Sequence, residues 1–236
     1  MISDIQKCCL QRGVTRLCHF TPSRNLPHIA EGKIGILATA HLRTNERAVL
    51  NPTDESRWDG WLSHVCCSIE YPNAWYLVKA QANERLFQDW VILMLAPRYI
   101  WHSETHFCPR NSAAQGGSLV RSGFAAFQSV YADRVVGAYG RTRTRDPRML
   151  SCCPTDDQAE VLVKDRIDFA DIQKVIVRDN AQAKREVLRM RLTGLGDTAY
   201  KIVVVPDLFD PYLVSSSIRQ GIRPHETTWV NSAIVA

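Results

Sequence analysis

PTDDQAEVLV, residues 154–163, is the stretch from which the fold is read. Val161, Leu162 and Val163 are the β-branched and aliphatic residues of a buried strand. Pro154, Thr155, Asp156 and Asp157 form a turn leading into it. Residues two apart in an extended strand share a face, so Gln158 and Glu160 are expected to project together while Ala159 points away. A carboxylate held at the mouth of a rigid strand, beside an amide, suits a group that faces developing positive charge. The same spacing also fits a solvent-exposed strand edge, where glutamates are common.

Outward from this strand, short β-like segments dominate. Thr15–Phe20, Val65–Glu70, Tyr76–Ala80, Val91–Leu95, Lys174–Val177 and Ile202–Val205 are apolar and bounded by turn formers. Helices are expected at Ile2–Gln11, from Asn25 to Glu31, and at Asn180–Arg191, the last N-capped by Asn180 and ending before Gly194. Strands and helices do not alternate as βαβ units would, and no G-x-G-x-x-G follows a strand. The fold class is therefore α+β with largely antiparallel sheets. No repeat or linker divides the chain, so residues 1–236 are expected to form a single domain. Gln115–Pro154 shows weak patterning and reads as a long loop, of the kind that usually carries function.

Bulk composition narrows the class. A 45% hydrophobic, 22% charged chain of 236 residues is globular, and no apolar run reaches the roughly 18 residues of a membrane span. The start, MISDIQKCCLQRG, lacks the apolar core of a secretory signal, so a cytoplasmic location is expected. The net charge of +5 suits an anionic partner without requiring one. Arg141, Arg143, Arg145 and Arg148 are concentrated together with only Asp146 opposing them. Phe124, Phe127, Tyr131 and Tyr139 precede them, as stacking platforms or core residues. Six of the eight cysteines are adjacent pairs, and no C-x-x-C occurs, so free thiols are expected rather than a disulfide framework or zinc ribbon. His102, His106 and Cys108 lack an evident fourth ligand and read as a polar loop, so no metal is expected.

Near the N-terminus, His19-Phe20-Thr21 ends a strand-like run and precedes Pro22 and the helix near Asn25. His19 and Thr21 can offer hydrogen bonds to a sugar hydroxyl or a carboxamide, or serve as ordinary strand-end residues. Asp54-x-x-Arg57-x-Asp59 offers an arginine able to fork onto a pyrophosphate, or to pair with its own aspartates.

In this order, His19-Phe20-Thr21 with Asn25, Asp54-x-x-Arg57, Ser68-Ile69-Glu70-Tyr71-Pro72-Asn73, and Gln158-Ala159-Glu160-Val161-Leu162-Val163 resemble the DarT family. These are DNA ADP-ribosyltransferase toxins of bacterial toxin–antitoxin systems. The resemblance runs from about residue 15 to about residue 180, and the segment beyond about 195 adds nothing to it.

The resemblance implies an ADP-ribosyltransferase-like fold: two roughly perpendicular antiparallel sheets with flanking helices around an NAD cleft. It implies that His19, Phe20, Thr21 and Asn25 hold NAD, that Arg57 binds the dinucleotide and fixes the reacting geometry, and that Glu160 is the catalytic carboxylate. Gln158 would contact the acceptor, single-stranded DNA, and Arg141, Arg143, Arg145 and Arg148 would supply phosphate contacts. Breaking the nicotinamide–ribose bond passes through an oxocarbenium-like state that a carboxylate stabilises, and no metal is required. The Ser68–Asn73 segment, where other members carry a different sequence around a methionine, resembles the branch acting on guanine rather than thymine. The implied partner is an antitoxin that hydrolyses ADP-ribosyl groups, of macrodomain or NADAR type.

Three other readings stay open on sequence alone. One is an ADP-ribosyltransferase acting on RNA or protein. Another is a catalytically silent nucleic-acid-binding module. The third is a metal-dependent nuclease built on Asp156, Asp157 and Glu160.

Overall fold

Trp90–Leu95 (β4) is an unbroken apolar run, and all six of its residues are buried. Such a strand needs cover on both faces and belongs in the middle of a sheet. The computed structural model describes residues 2–42, 58–84, 87–137, 140–194 and 200–230. In it β4 lies between β1 (Leu17–Pro22) and β11 (Ile172–Val177), antiparallel to both.

Among the described residues the other strands of the main sheet are β3 (His64–Ile69), β5 (His106–Cys108), β6 (Arg121–Ser122), β9 (Glu160–Lys164), β12 (Ile202–Val204) and β13 (Thr227–Thr228). Their order is β13-β12-β11-β4-β1-β3-β9-β5-β6. All pairings are antiparallel except β11 with β12, which are parallel. Two short pairs stand apart: β2 (Ile36–Leu37) with β10 (Arg166–Ile167), and β7 (Arg134–Val136) with β8 (Thr142–Thr144). Helices are α1 (Asp4–Arg12), α2 (Leu26–Ala30), α3 (Ala74–Asn83), α4 (Gly123–Ser129), α5 (Asn180–Leu192) and α6 (Pro211–Arg219). The fold class is α+β, as expected. None of these helices is long and apolar enough to cross a membrane.

The junction between β1 and β3 matters most for function. β1 pairs with β4 along its whole length but with β3 only at Leu17↔Ile69 and Cys18↔Ser68. Beyond Cys18 the two strands part. The sheet therefore consists of two half-sheets, β13-β12-β11-β4-β1 and β3-β9-β5-β6, joined by a two-residue seam.

Several local expectations are corrected. Tyr76–Ala80, expected as a strand, lies inside α3. Asn73 caps that helix by accepting from the Tyr76 N–H at 3.0 Å, and Ala74, Leu77 and Ala80 form its buried stripe. The cap of α5 is Asp179, which accepts from the Gln182 N–H at 2.7 Å; Asn180 is already helical. Gln115–Pro154 is not one loop. It holds β6, α4 and the β7–β8 hairpin, elements too short to leave a periodic signal. All eight cysteines are free thiols.

Candidate active site

The cleft opens where the two half-sheets part. It spans about 1430 Å³, counting the open solvent at its mouth, between the His19–Thr21 end of β1 and the facing β3 and β9. His19 spans the division, with Nδ1 donating to the Cys66 carbonyl at 2.8 Å. That bond fixes the tautomer of a neutral ring and leaves Nε2 as its acceptor nitrogen. Past the seam no described strand pairs with the cleft edge of β1, so its peptide groups can meet a ligand.

Glu160 begins β9 and lines the cleft. It is only 7% exposed, which rules out the exposed-edge alternative. Its carboxylate is oriented by two donors from the turn after β5: Asn111 Nδ2 to Oε1 at 3.1 Å and the Ser112 N–H to Oε2 at 2.9 Å. Ser112 Oγ in turn donates to Asp59 Oδ2 at 3.0 Å. Gly117 lets this turn close onto Asp59. Its φ is +77°, and a Cβ there would sit 2.2 Å from the Asp59 carbonyl oxygen. Sequence reading did not single out Asn111 or Ser112; the only local hint was a polar turn followed by Gly116-Gly117.

On the opposite wall Asn25 Nδ2 donates to Thr21 Oγ1 at 2.8 Å. Asn25 Oδ1 and Asn73 Nδ2 are buried and have no hydrogen-bond partner among the described residues; both residues line the cleft. A buried polar atom without a partner costs roughly 1–3 kcal/mol, and both of these belong to residues that line the same cleft. The thiols of Cys67 and Cys108 are pushed up by burial, with the nearby Glu160 charge adding to it, Cys108 to about 11. They stay protonated and are poor nucleophiles.

His19, Phe20, Thr21, Asn25 and Glu160 therefore line one cleft. Phe20 also packs against Tyr76 and Trp90. Arg57 and Asp54 fall outside the described residues, as does Tyr139. Gln158 departs from expectation. It sits in a turn, with its N–H on Asp156 Oδ1 at 2.9 Å, because the strand starts only at Glu160. Gln158 and Glu160 therefore do not share a strand face, and Gln158 is not part of the cleft lining.

The arginine run divides by environment. Arg141, just before β8, is exposed and Arg143 on β8 is half-buried, and neither side chain makes a hydrogen bond or ion pair with a described residue, although Arg143 lies near enough to Asp156 to favour its charged form. Arg134 on β7, overlooked in the sequence, is a third such cation on this hairpin. Arg145 is instead occupied internally: it donates to the carbonyls of Cys153 (2.9 Å), Leu150 (3.2 Å) and Ser151 (3.1 Å), over the Tyr131 ring. Arg148 pairs with Asp146 at 3.0 Å. Of the aromatic candidates, Phe127 and Tyr131 are core residues, and only Phe124 is substantially exposed. Buried Arg110 donates to the Val136 and Gly137 carbonyls at 2.9 Å each, tying the hairpin to the turn that holds Glu160. Gly137 also lies against Asp156: a Cβ there would be 2.6 Å from Oδ2.

His106 and Cys108 lie on β5 rather than in a loop, and the His106 ring packs against Trp61 and His64. Among the described residues no group of three or more His, Cys, Asp or Glu side chains is placed to hold a metal ion.

Comparison of the sequence with curated proteins gives no match. Solved structures match in fold. Thermus sp. 2.9 DarT in complex with ADP-ribosylated ssDNA superposes with a TM-score of 0.51 at 15% identity, covering 80% of this chain and 97% of that one. Thermosipho africanus DarTG in complex with ADP-ribose gives 0.50 at 15% identity, covering 83% of this chain and 51% of that one. A family model described as "ssDNA thymidine ADP-ribosyltransferase, DarT" matches residues 18–210. That match takes in the cleft from Cys18 onward and Glu160, and the chain belongs to the DarT family of ssDNA ADP-ribosyltransferases.

Proposed function

We propose that the chain acts as one domain that transfers ADP-ribose from NAD to a base in single-stranded DNA, with Glu160 as its catalytic carboxylate. The observation that carries this is a buried glutamate, oriented by two hydrogen bonds, in a cleft also lined by Asn25 and Asn73, each with an amide atom that has no hydrogen-bond partner among the described residues. A dinucleotide fits the residues present. The cleft is of ample size for a ligand, and it offers amide donors and acceptors together with an open strand edge.

When bound, NAD supplies the ADP-ribosyl group and a nicotinamide leaving group. His19, Thr21, Asn25 and Asn73 bind and orient the dinucleotide, with Phe20 packing behind them. Arg57 adds a forked contact in the same reading. Glu160 provides negative charge at the reacting carbon and accepts the proton of the attacking base. Arg134, Arg141 and Arg143 are available for phosphates, and Arg110 and Asp156 fix their hairpin beside the loop leading to Glu160. Arg145 is committed to internal carbonyls and falls away from the DNA interface, whereas Arg148, exposed in a surface pair with Asp146, stays available beside the hairpin.

Guanine is the favoured base in this reading, on the strength of the Ser68–Asn73 segment, whose Ser68 and Asn73 line the cleft. The family model's own description names thymidine, and the assay includes both. Toxicity in the bacterial cytoplasm, opposed by an ADP-ribosyl-hydrolysing antitoxin of macrodomain or NADAR type, completes the proposal. The DarTG name of the Thermosipho africanus structure supports such pairing.

The test is mass spectrometry of oligonucleotides, each containing a single guanine, thymine, adenine or cytosine, incubated with protein and NAD. RNA and protein acceptors run in parallel. An ADP-ribose adduct on the guanine DNA is expected. Adducts confined to thymine DNA would overturn the base assignment, and adducts only on RNA or protein would overturn the acceptor class.

A further inference from the structure

The family match ends at residue 210, yet the chain continues into α6 and returns across the molecule. Residues 215–223 make contacts at successive points along the loop that leads to Glu160. The Leu150 N–H donates to the Ile218 carbonyl at 3.0 Å. Arg223 spans to the same loop, with one guanidinium nitrogen 3.5 Å from Cys152 Sγ and the other 2.8 Å from the buried carboxylate of Glu70. Closest to the site, Asp157 accepts from the Ser215 hydroxyl at 2.6 Å and forms a longer ion pair, without a hydrogen bond, with the Arg219 guanidinium at 3.6 Å. The Asp157 side chain is 5% exposed, so this ion pair is shielded from solvent on the acid's side. Asp157 immediately precedes Gln158, and Asp156 on its other side is packed against the hairpin at Gly137.

We propose that α6 is a strap for the acceptor side of the active site, in which Ser215 and Arg219 are positioning residues that hold Asp157 and thereby the 156–158 turn beside Glu160. Thr21 and Asn25, on the other wall of the cleft, make no hydrogen bond or ion pair with α6 among the described residues, and α6 meets the helix after Asn73 through Tyr212 on Trp75. Loosening the strap therefore acts on transfer to DNA more than on the grip on NAD. A displacement of about 1 Å at a positioned group can cost up to about a hundredfold in rate, so a partial loosening at one remove is expected to cost about tenfold. This inference rests on the function proposed above together with the expectation that Gln158, in the turn before Glu160, contacts the acceptor.

The test is the ratio of oligonucleotide ADP-ribosylation to NAD hydrolysis without DNA, measured on full-length wild type, Ser215→Ala/Arg219→Ala, Asp157→Asn and Arg219→Lys. Melting temperature is followed for each. The expected result is transfer reduced about tenfold in the double variant and in Asp157→Asn, with NAD hydrolysis within about twofold of wild type. Arg219→Lys keeps the charge and should restore most of the transfer. Parallel loss of both activities would make α6 a purely structural element and overturn the proposal, as would a wild-type ratio in both loosened variants. Absence of DNA product from the wild type itself would instead overturn the function on which the inference rests.

Discussion

The Ser112 backbone N–H donates to Glu160 Oε2 at 2.9 Å, and with the Asn111 amide on the other oxygen it sets the direction of the carboxylate. Charge and direction can be separated by mutation. Glu160→Gln keeps the shape but turns an NH2 group toward one of two donors, and it cannot accept the base proton. Transfer to an oligonucleotide in single turnover should fall by about a hundred- to ten-thousand-fold. NAD affinity by calorimetry should change little, and stability should fall by about 1–3 kcal/mol because a donor is left facing a donor. Wild-type transfer by Glu160→Gln would remove Glu160 from the mechanism.

Asn25 tests the dinucleotide wall. Its Oδ1 has no hydrogen-bond partner among the described residues, so losing that atom removes a desolvation cost that offsets the lost bond from Nδ2 to Thr21. Asn25→Ala should weaken NAD binding by about tenfold while costing only about 1 kcal/mol of stability. Calorimetry and thermal melts read the two effects separately. A large loss of stability with unchanged NAD affinity would make Asn25 a scaffold residue.

The arginines of the hairpin and of the adjoining loop should behave oppositely. Arg141→Ala and Arg143→Ala should each lower the salt dependence of single-stranded DNA binding by about 0.7 in log–log slope, with melting temperature preserved. Arg145→Ala strips the partner from three carbonyls and should lower the melting temperature without changing the slope. An altered slope only in Arg145→Ala would reverse these assignments.

Acid should destabilise the protein through identifiable pairs. The hydrogen bond from Arg185, reinforced by Arg189, holds the Asp89 carboxyl below its ordinary range, and the one from Arg98 does so for Asp171. A depressed folded-state pKa contributes stability that is fully present above the unfolded value of about 3.9 and is lost as pH falls through the folded value. Melting temperature should therefore hold from neutral pH down to about pH 5 and decline below about pH 4. Asp89→Asn should melt lower at neutral pH and show a shallower acid decline. An unchanged acid profile would assign the decline to other carboxylates.

Much of the site was legible where residue type and local geometry agree. His19-Phe20-Thr21 reads as a polar end to a strand, and Glu160-Val161-Leu162-Val163 as a carboxylate at the start of a buried one. What failed depended on something other than period. Tyr76–Ala80 has strand-like composition, but the Asn73 side chain captures an N–H and starts a helix. Gln158 was assigned to a strand face because alternation was extended two residues too far, across a turn closed by Asp156. Asn111 and Ser112 lie 49 and 48 residues from Glu160, and no local pattern reports a contact of that range. The four arginines looked alike in sequence, and only tertiary partners distinguish Arg145 from Arg141.

The seam between β1 and β3 has a consequence for how such a protein diversifies. Among the described residues the strand ladder joins the half bearing His19 and Thr21 to the half bearing Glu160 only at Leu17–Ile69 and Cys18–Ser68, beside the His19 bond to the Cys66 carbonyl. Substitutions accumulating on β9, β5 and the hairpin leave the backbone ladder of β1 and β4 intact. Under the proposed function, a lineage can thus change the nucleobase it marks through drift on one leaf of the sheet, while the leaf carrying His19, Thr21 and Asn25 stays fixed by its own hydrogen bonds.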